Sequence, residues 1–277
     1  MSEIDYELLK TEEVIPPTRP KSVAWIVGLL IVAVAAVAGY LYRRLAPAPV
    51  APSAAVVKAP APQPAVRPLG GDAEPITVPP LEQSDAVVRE LVRRITSHPA
   101  VVAWLTTNGL IRNFTVVVTN VAEGPTPAKQ LGVLRPSAPF RVVNRNGQLF
   151  IDEASYRRYD RLAAAAASID PAGAARVYAT LKPRIGEAYA ELGMPPASFD
   201  RALEKAIVAL LQVPIVEGPV RVQPKGGTAY QYADSRLEGL TAAQRQLLRT
   251  GPRNVRTIQS ALRQLALALG ISPDRLP

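Results

Sequence analysis

Residues Phe140 to Ile151 read FRVVNRNGQLFI. Asn146-Gly147 inside them is a strong hairpin signal, because a type I′ turn needs positive φ at both central residues and Asn and Gly tolerate it. Around that turn Val143 falls opposite Phe150, and Arg141 opposite Asp152. Pro219 to Tyr232 repeats the arrangement loosely. Pro139-Phe-Arg-Val leads to Gly147, and Pro219-Val-Arg-Val leads to Gly227 at the same spacing. A lone two-stranded hairpin is marginal in water. Two readings of the pair stay open: one small sheet built from both, or a coincidental likeness.

The hairpins interrupt a chain whose apolar residues otherwise recur at helical spacing. Asp85 to Ser97 places Val88, Leu91, Val92 and Ile95 on one face, with Ser84 as cap. His98-Pro99 breaks it, since the residue before Pro disfavours the helical basin, and Ala100 to Leu105 forms a short second helix. Asn108 to Val121 continues the period through Ile111, Phe114 and Val118, against the β propensity of Thr115 to Val118. Asp152 caps a helix predicted over Glu153 to Ser168. Asp170-Pro171 opens another by the N-cap and N1 preference, and Pro183 should kink or split it. Ser198 caps a helix carrying Phe199, Leu203, Ile207 and Leu211. Thr241 to Gln244 is a capping box. Gly251-Pro252 makes a corner before a last helix that ends at Gly270.

Upstream the pattern changes. Of the 35 residues from Ala46 to Pro80, ten are Pro and nine Ala, a composition that supports neither helix nor core. Ser22 to Tyr42, SVAWIVGLLIVAVAAVAGYLY, carries no charge over 21 residues and is about 31 Å long as a helix, the thickness of a bilayer core. Trp25 at one end and Tyr40 and Tyr42 at the other suit the headgroup zones, and Arg43 and Arg44 close the span. The apolar run exceeds a signal-peptide core, so it reads as an uncleaved anchor. Basic residues tie at three on each flank. The linker, on the order of 100 Å if extended as polyproline II, suits a domain working at a distance on the far side. The expected fold class is mainly α. A disordered cytoplasmic tail (1–21) leads to a single N-terminal transmembrane helix (22–42) and a Pro/Ala-rich flexible linker (43–80). A mainly helical soluble domain (81–272) with one or two small β-hairpins follows.

Chemistry is sparse. There is no cysteine and one histidine, His98, so neither a common zinc set nor a Cys-His dyad can be assembled. His98 reads as a helix terminator or cap at a helix end whose dipole would favour a cationic ring. Asp152-Glu153 reads as a helix start, and Glu187, Glu191 and Glu204 as solvated helix faces. No glycine-rich loop follows a strand: Gly70-Gly71 falls in the linker and Gly226-Gly227 in a turn. No cofactor is expected, and no catalytic residue is assigned.

Charge is more informative. Seven basic and seven acidic residues precede Leu81, leaving 25 of the 32 Lys and Arg and 16 of the 23 acids after it, so the net +9 belongs to the domain. Arg245, Arg249, Arg253 and Arg256 follow helical spacing and would form one stripe if the Gly251-Pro252 corner keeps its two helices adjoining. With Asn254 they are the candidate contact for an anion or partner, since arginine forks suit phosphate and carboxylate. The target would be headgroups, an anionic wall polymer or an acidic envelope protein. Basic residues are not interleaved with exposed aromatics, so no nucleic acid is expected.

Three stretches carry a family resemblance: LIRNFTVVVTNVAEG (Leu110–Gly124), FIDEASYRRYDRL (Phe150–Leu162) and QLLRTGPRNVRTIQSALRQLALALG (Gln246–Gly270). With the anchor and linker, the chain resembles the bacterial membrane-anchored family known as domain of unknown function 3014. The resemblance implies a Gram-negative inner membrane location with a periplasmic domain. It brings no activity, ligand or catalytic residue. The expected function is that of a non-catalytic bitopic protein binding an envelope partner or anionic component. The alternative is a wall- or lipid-modifying hydrolase using carboxylates in a cleft between helices.

Overall fold

The computed structural model describes residues 68–227 and 229–277. The expected tail, the span 22–42 and residues 43–67 of the linker lie outside them. So do the anchor residues Trp25, Tyr40, Tyr42, Arg43 and Arg44. Among the described residues no helix is long and apolar enough to cross a membrane.

The domain is mainly helical with one four-stranded antiparallel sheet. Helices α1 (Asp85–Ile95), α2 (Pro99–Trp104) and α3 (Leu110–Glu123) come first. The hairpin β1 (Val142–Arg145) and β2 (Gln148–Ile151) leads into α4 (Glu153–Arg157), α5 (Asp160–Ala167), α6 (Pro171–Glu191) and α7 (Phe199–Leu211). A second hairpin, β3 (Arg221–Gly226) and β4 (Ala229–Tyr232), precedes α8 (Ser235–Glu238), α9 (Ala242–Leu248) and α10 (Pro252–Ala268).

The turn at Asn146-Gly147 forms as its residues require, with φ of 51° and 79°. Val143 pairs with Phe150 as the sequence places them. The two hairpins join through Leu149↔Val222 and Phe150↔Arg221, giving the order β1-β2-β3-β4. A Cβ at Gly147 would touch nothing, so Gly147→Val isolates the backbone cost of positive φ. We expect a loss of about 1 kcal/mol or more in a denaturant titration; an unchanged midpoint would contradict the turn type.

Two apolar cores result. The larger one packs α3 on α6 and α7, and α10 across α5, α6 and α7, around Leu91, Leu110, Ala266 and Leu269. The smaller one sits with the sheet, where Ile151, Val222 and Tyr232 meet Leu247, Leu248 and Val255. Phe199 links the inner faces of α3 and α6 through ring contacts with Phe114, Tyr178 and Tyr189.

Several expectations are corrected. Residues 69–80 are not free linker. Leu69 is buried in the larger core, Gly70 donates to Leu269 O, and the Arg184 guanidinium donates to Val78 O. Ser84 and Ser198 sit at helix starts without capping; their hydroxyls donate backwards to Leu81 O and Pro195 O. The Glu153–Ser168 helix is broken at Arg158-Tyr159, between α4 and α5. There Tyr156 O accepts from Tyr159 N and from the Asn254 side chain, which takes the carbonyl out of the helical ladder. Helix α6 runs unsplit through the exposed Pro183, held by packing of its length against α1, α3 and α10. Glu204 is buried and paired with Arg275 at 2.6 Å rather than solvated.

Candidate functional site

His98 starts α2 rather than closing a helix, and its Nδ1 accepts from Ala100 N at 3.2 Å. It is a cap, as expected, but at an N-terminus.

The arginine stripe is divided by the geometry of the corner. Arg245 is spent internally, donating to Glu238 O and Leu240 O at 2.5 and 2.8 Å. Arg249 lines a separate hollow with Tyr159, Tyr230 and Tyr232. Burial pushes the Tyr232 phenol well above the usual phenol range, against the opposing pull of Arg249. Arg256 pairs with Glu217. Only Arg253 and Asn254 reach a common cleft, of about 420 Å³, with Arg145, Tyr156, Arg157 and Asp160.

Asn254 is buried there, and its Nδ2 reaches Thr250 O, Tyr156 O and Asp160 Oδ1 at 3.0, 3.1 and 2.9 Å. Its amide is therefore a brace between α10 and the α4–α5 break, not an exposed contact. Burial, with the nearby Glu153 charge, pushes the Tyr156 phenol up to about 12. Glu153, Asp160 and Glu217 also line the cleft, but Asp160 faces Asn254 and Arg253, and Glu217 holds Arg256. Among the described residues no three or more acidic or histidine side chains gather as a metal would require.

The two residues should separate in a thermal melt. Asn254→Ala removes the three hydrogen bonds of a buried amide and should cost about 1–3 kcal/mol. Arg253→Ala, 83% exposed and 3.9 Å from Asp160, should stay within about 0.5 kcal/mol of the parent. Equal, small effects would return Asn254 to the surface role.

A different site lies among the helices. A half-open cavity of about 400 Å³ is lined by side chains of α1, α2, α3, α5, α6, α7 and α10, with Leu131 and Leu134 from the loop before β1. Its lining is apolar apart from the tips of Trp104 and Tyr178. The Tyr178 hydroxyl is satisfied, donating to Asp200 at 2.5 Å, and burial followed by that hydrogen bond holds the phenol far above its usual range. The Trp104 indole N–H is buried and finds no acceptor among the described residues. Buried polar groups are nearly always satisfied, so this one is notable. Alanines at 100, 165, 166 and 174 leave the space open. Two of them, Ala165 and Ala166, belong to the alanine run of DRLAAAAA (Asp160–Ala167), the trace the cavity leaves in the sequence.

Fold and site together define a mainly helical domain with a small sheet and an apolar cavity between its helices. Residues 110–266 match the family described as protein of unknown function (DUF3014), and the chain belongs to that family. The match runs from the start of α3 into α10, so it takes in both hairpins and the Gly251 corner. Comparison with curated proteins and with solved structures returns no match.

Proposed function

We propose that this chain is a non-catalytic, single-pass inner-membrane protein whose helical domain stands in the periplasm and binds an apolar component of the envelope. The observation that carries the reading is the cavity of about 400 Å³. Its volume lies in the range of small-molecule sites, and its lining has the apolar character of such sites. The uncharged run 22–42 and the family resemblance support the membrane half of the reading. The engagement of Asp160 and Glu217 with neighbouring groups favours binding over hydrolysis.

Trp104 lines the cavity and Trp25 lies in the predicted span, so Trp25→Phe leaves one reporter. The full chain, held in zwitterionic nanodiscs, is titrated with a brominated fatty alcohol. Saturable quenching of Trp104 is expected. Emission that stays constant, or falls linearly without saturation, would sink the proposal.

A further inference from the structure

Beside the cavity lies a second hollow of about 250 Å³, and the two share Ala100, Leu134 and Leu162 in their walls. The second hollow is of opposite character. Arg135, Arg158 and Arg161 line it, and no carboxylate does. Arg158 is held in place, donating to Ser155 O and Ala138 O at 3.0 and 2.8 Å and stacked over Phe140 and Tyr159. Arg135 and Arg161 are exposed, and their guanidinium groups make no ion pair or hydrogen bond among the described residues. Val133, 49% exposed, sits in the same wall.

We propose that the two hollows form one site for a single-chain amphiphile with an anionic head, of the fatty carboxylate class. The inference rests on the proposed binding role of the cavity and names its ligand. The acyl chain occupies the apolar cavity, where burial of methylenes drives binding. The carboxylate lies among Arg135, Arg158 and Arg161, whose planar forks match it. Three arginines without a lining acid make a field that selects for negative charge, and the fixed Arg158 supplies a donor already oriented. The volume of the apolar hollow suits one acyl chain, which matches a lipid fragment or precursor.

The test uses the same Trp25→Phe chain in zwitterionic nanodiscs, with a brominated fatty carboxylate and the brominated alcohol of equal length. The carboxylate should half-quench Trp104 at a concentration about tenfold lower than the alcohol, as expected for a charge-assisted bidentate contact. Reversing the two exposed charges, Arg135→Glu with Arg161→Glu, should abolish that preference. Equal potency of the two ligands in the parent would overturn the head-group assignment while the cavity reading stands. Absence of quenching by both would overturn the two together. A preference that survives the double reversal would also overturn the assignment.

Discussion

Gly251→Ala is expected to destabilise the domain by roughly 3 kcal/mol or more, enough to abolish a cooperative melt in a marginal fold. Two independent costs meet at this residue. Its φ of 85° and ψ of 163° lie in a region that residues with a side chain essentially never occupy. A Cβ there would also stand 2.4 Å from Tyr156 Cγ and 2.7 Å from Tyr156 Cβ. Tyr156 packs with the smaller core, and its carbonyl is already held by Asn254, so the ring has little room to withdraw. Thermal unfolding followed by circular dichroism measures the effect. A loss below about 1 kcal/mol, no worse than a simple turn glycine, would mean the corner is not the close contact described.

The second large effect is at Gln259. The residue is 3% exposed, on the inner face of α10. Its Nε2 donates to Leu210 O, Leu211 O and Val213 O at 3.1, 3.1 and 2.9 Å. Those carbonyls belong to the C-terminal end of α7 and the residues after it, where a helix leaves acceptors without internal partners. One side chain therefore caps α7 and ties it to α10. Gln259→Met keeps the volume and removes the donor, and should cost about 2–4 kcal/mol, the penalty of stranding buried acceptors. Gln259→Glu should cost more at neutral pH, because a carboxylate would face carbonyl oxygens in a buried setting. A denaturant midpoint for Gln259→Met within error of the parent would contradict the capping role.

Features written in a few adjacent residues were legible in the sequence. Asn146-Gly147 carries its own turn conformation, and Thr241 with Gln244 forms the expected capping box. The helical period over Asn108 to Val121 outweighed its β-branched run, because packing against α6 and α7 rewards one continuous apolar face. Features that depend on distant partners were not legible. The break between α4 and α5 is made by Asn254, nearly a hundred residues away along the chain. Residues 69–80 look like linker by their prolines, yet the hydrogen bonds from Arg184 to Val78 O and from Gly70 N to Leu269 O, with the burial of Leu69, fix them on the domain. The arginine spacing of 245, 249, 253 and 256 was real, but Gly251 turns the chain and sends the side chains to different neighbours. A cavity is encoded by what several helices together leave unfilled, so no single segment announces it.

The same distribution of costs explains how the site is held. Asn254, Gln259 and Gly251 tie α10 to the α4–α5 break, to α7 and to the sheet side of the domain. Helix α10 also supplies Leu265, and its C-terminal cap Leu269, to the cavity wall. Fixing α10 keeps that wall in place without filling the space behind it. Rigid walls around a preformed apolar space lower the ordering cost of taking up a flexible chain.

The central claim is that the space between the helices receives the apolar part of an envelope ligand. Photolabelling tests it most directly. The full chain in nanodiscs is irradiated with a fatty carboxylate carrying a diazirine within its acyl chain, and the adducts are mapped by peptide mass spectrometry. Adducts should concentrate in the segments that contain Val92 to Trp104, Leu131 to Leu134 and Leu162 to Ala166, and unlabelled carboxylate should compete them away. Adducts confined to residues 22–42, or spread over the exposed helix faces without competition, would contradict the claim.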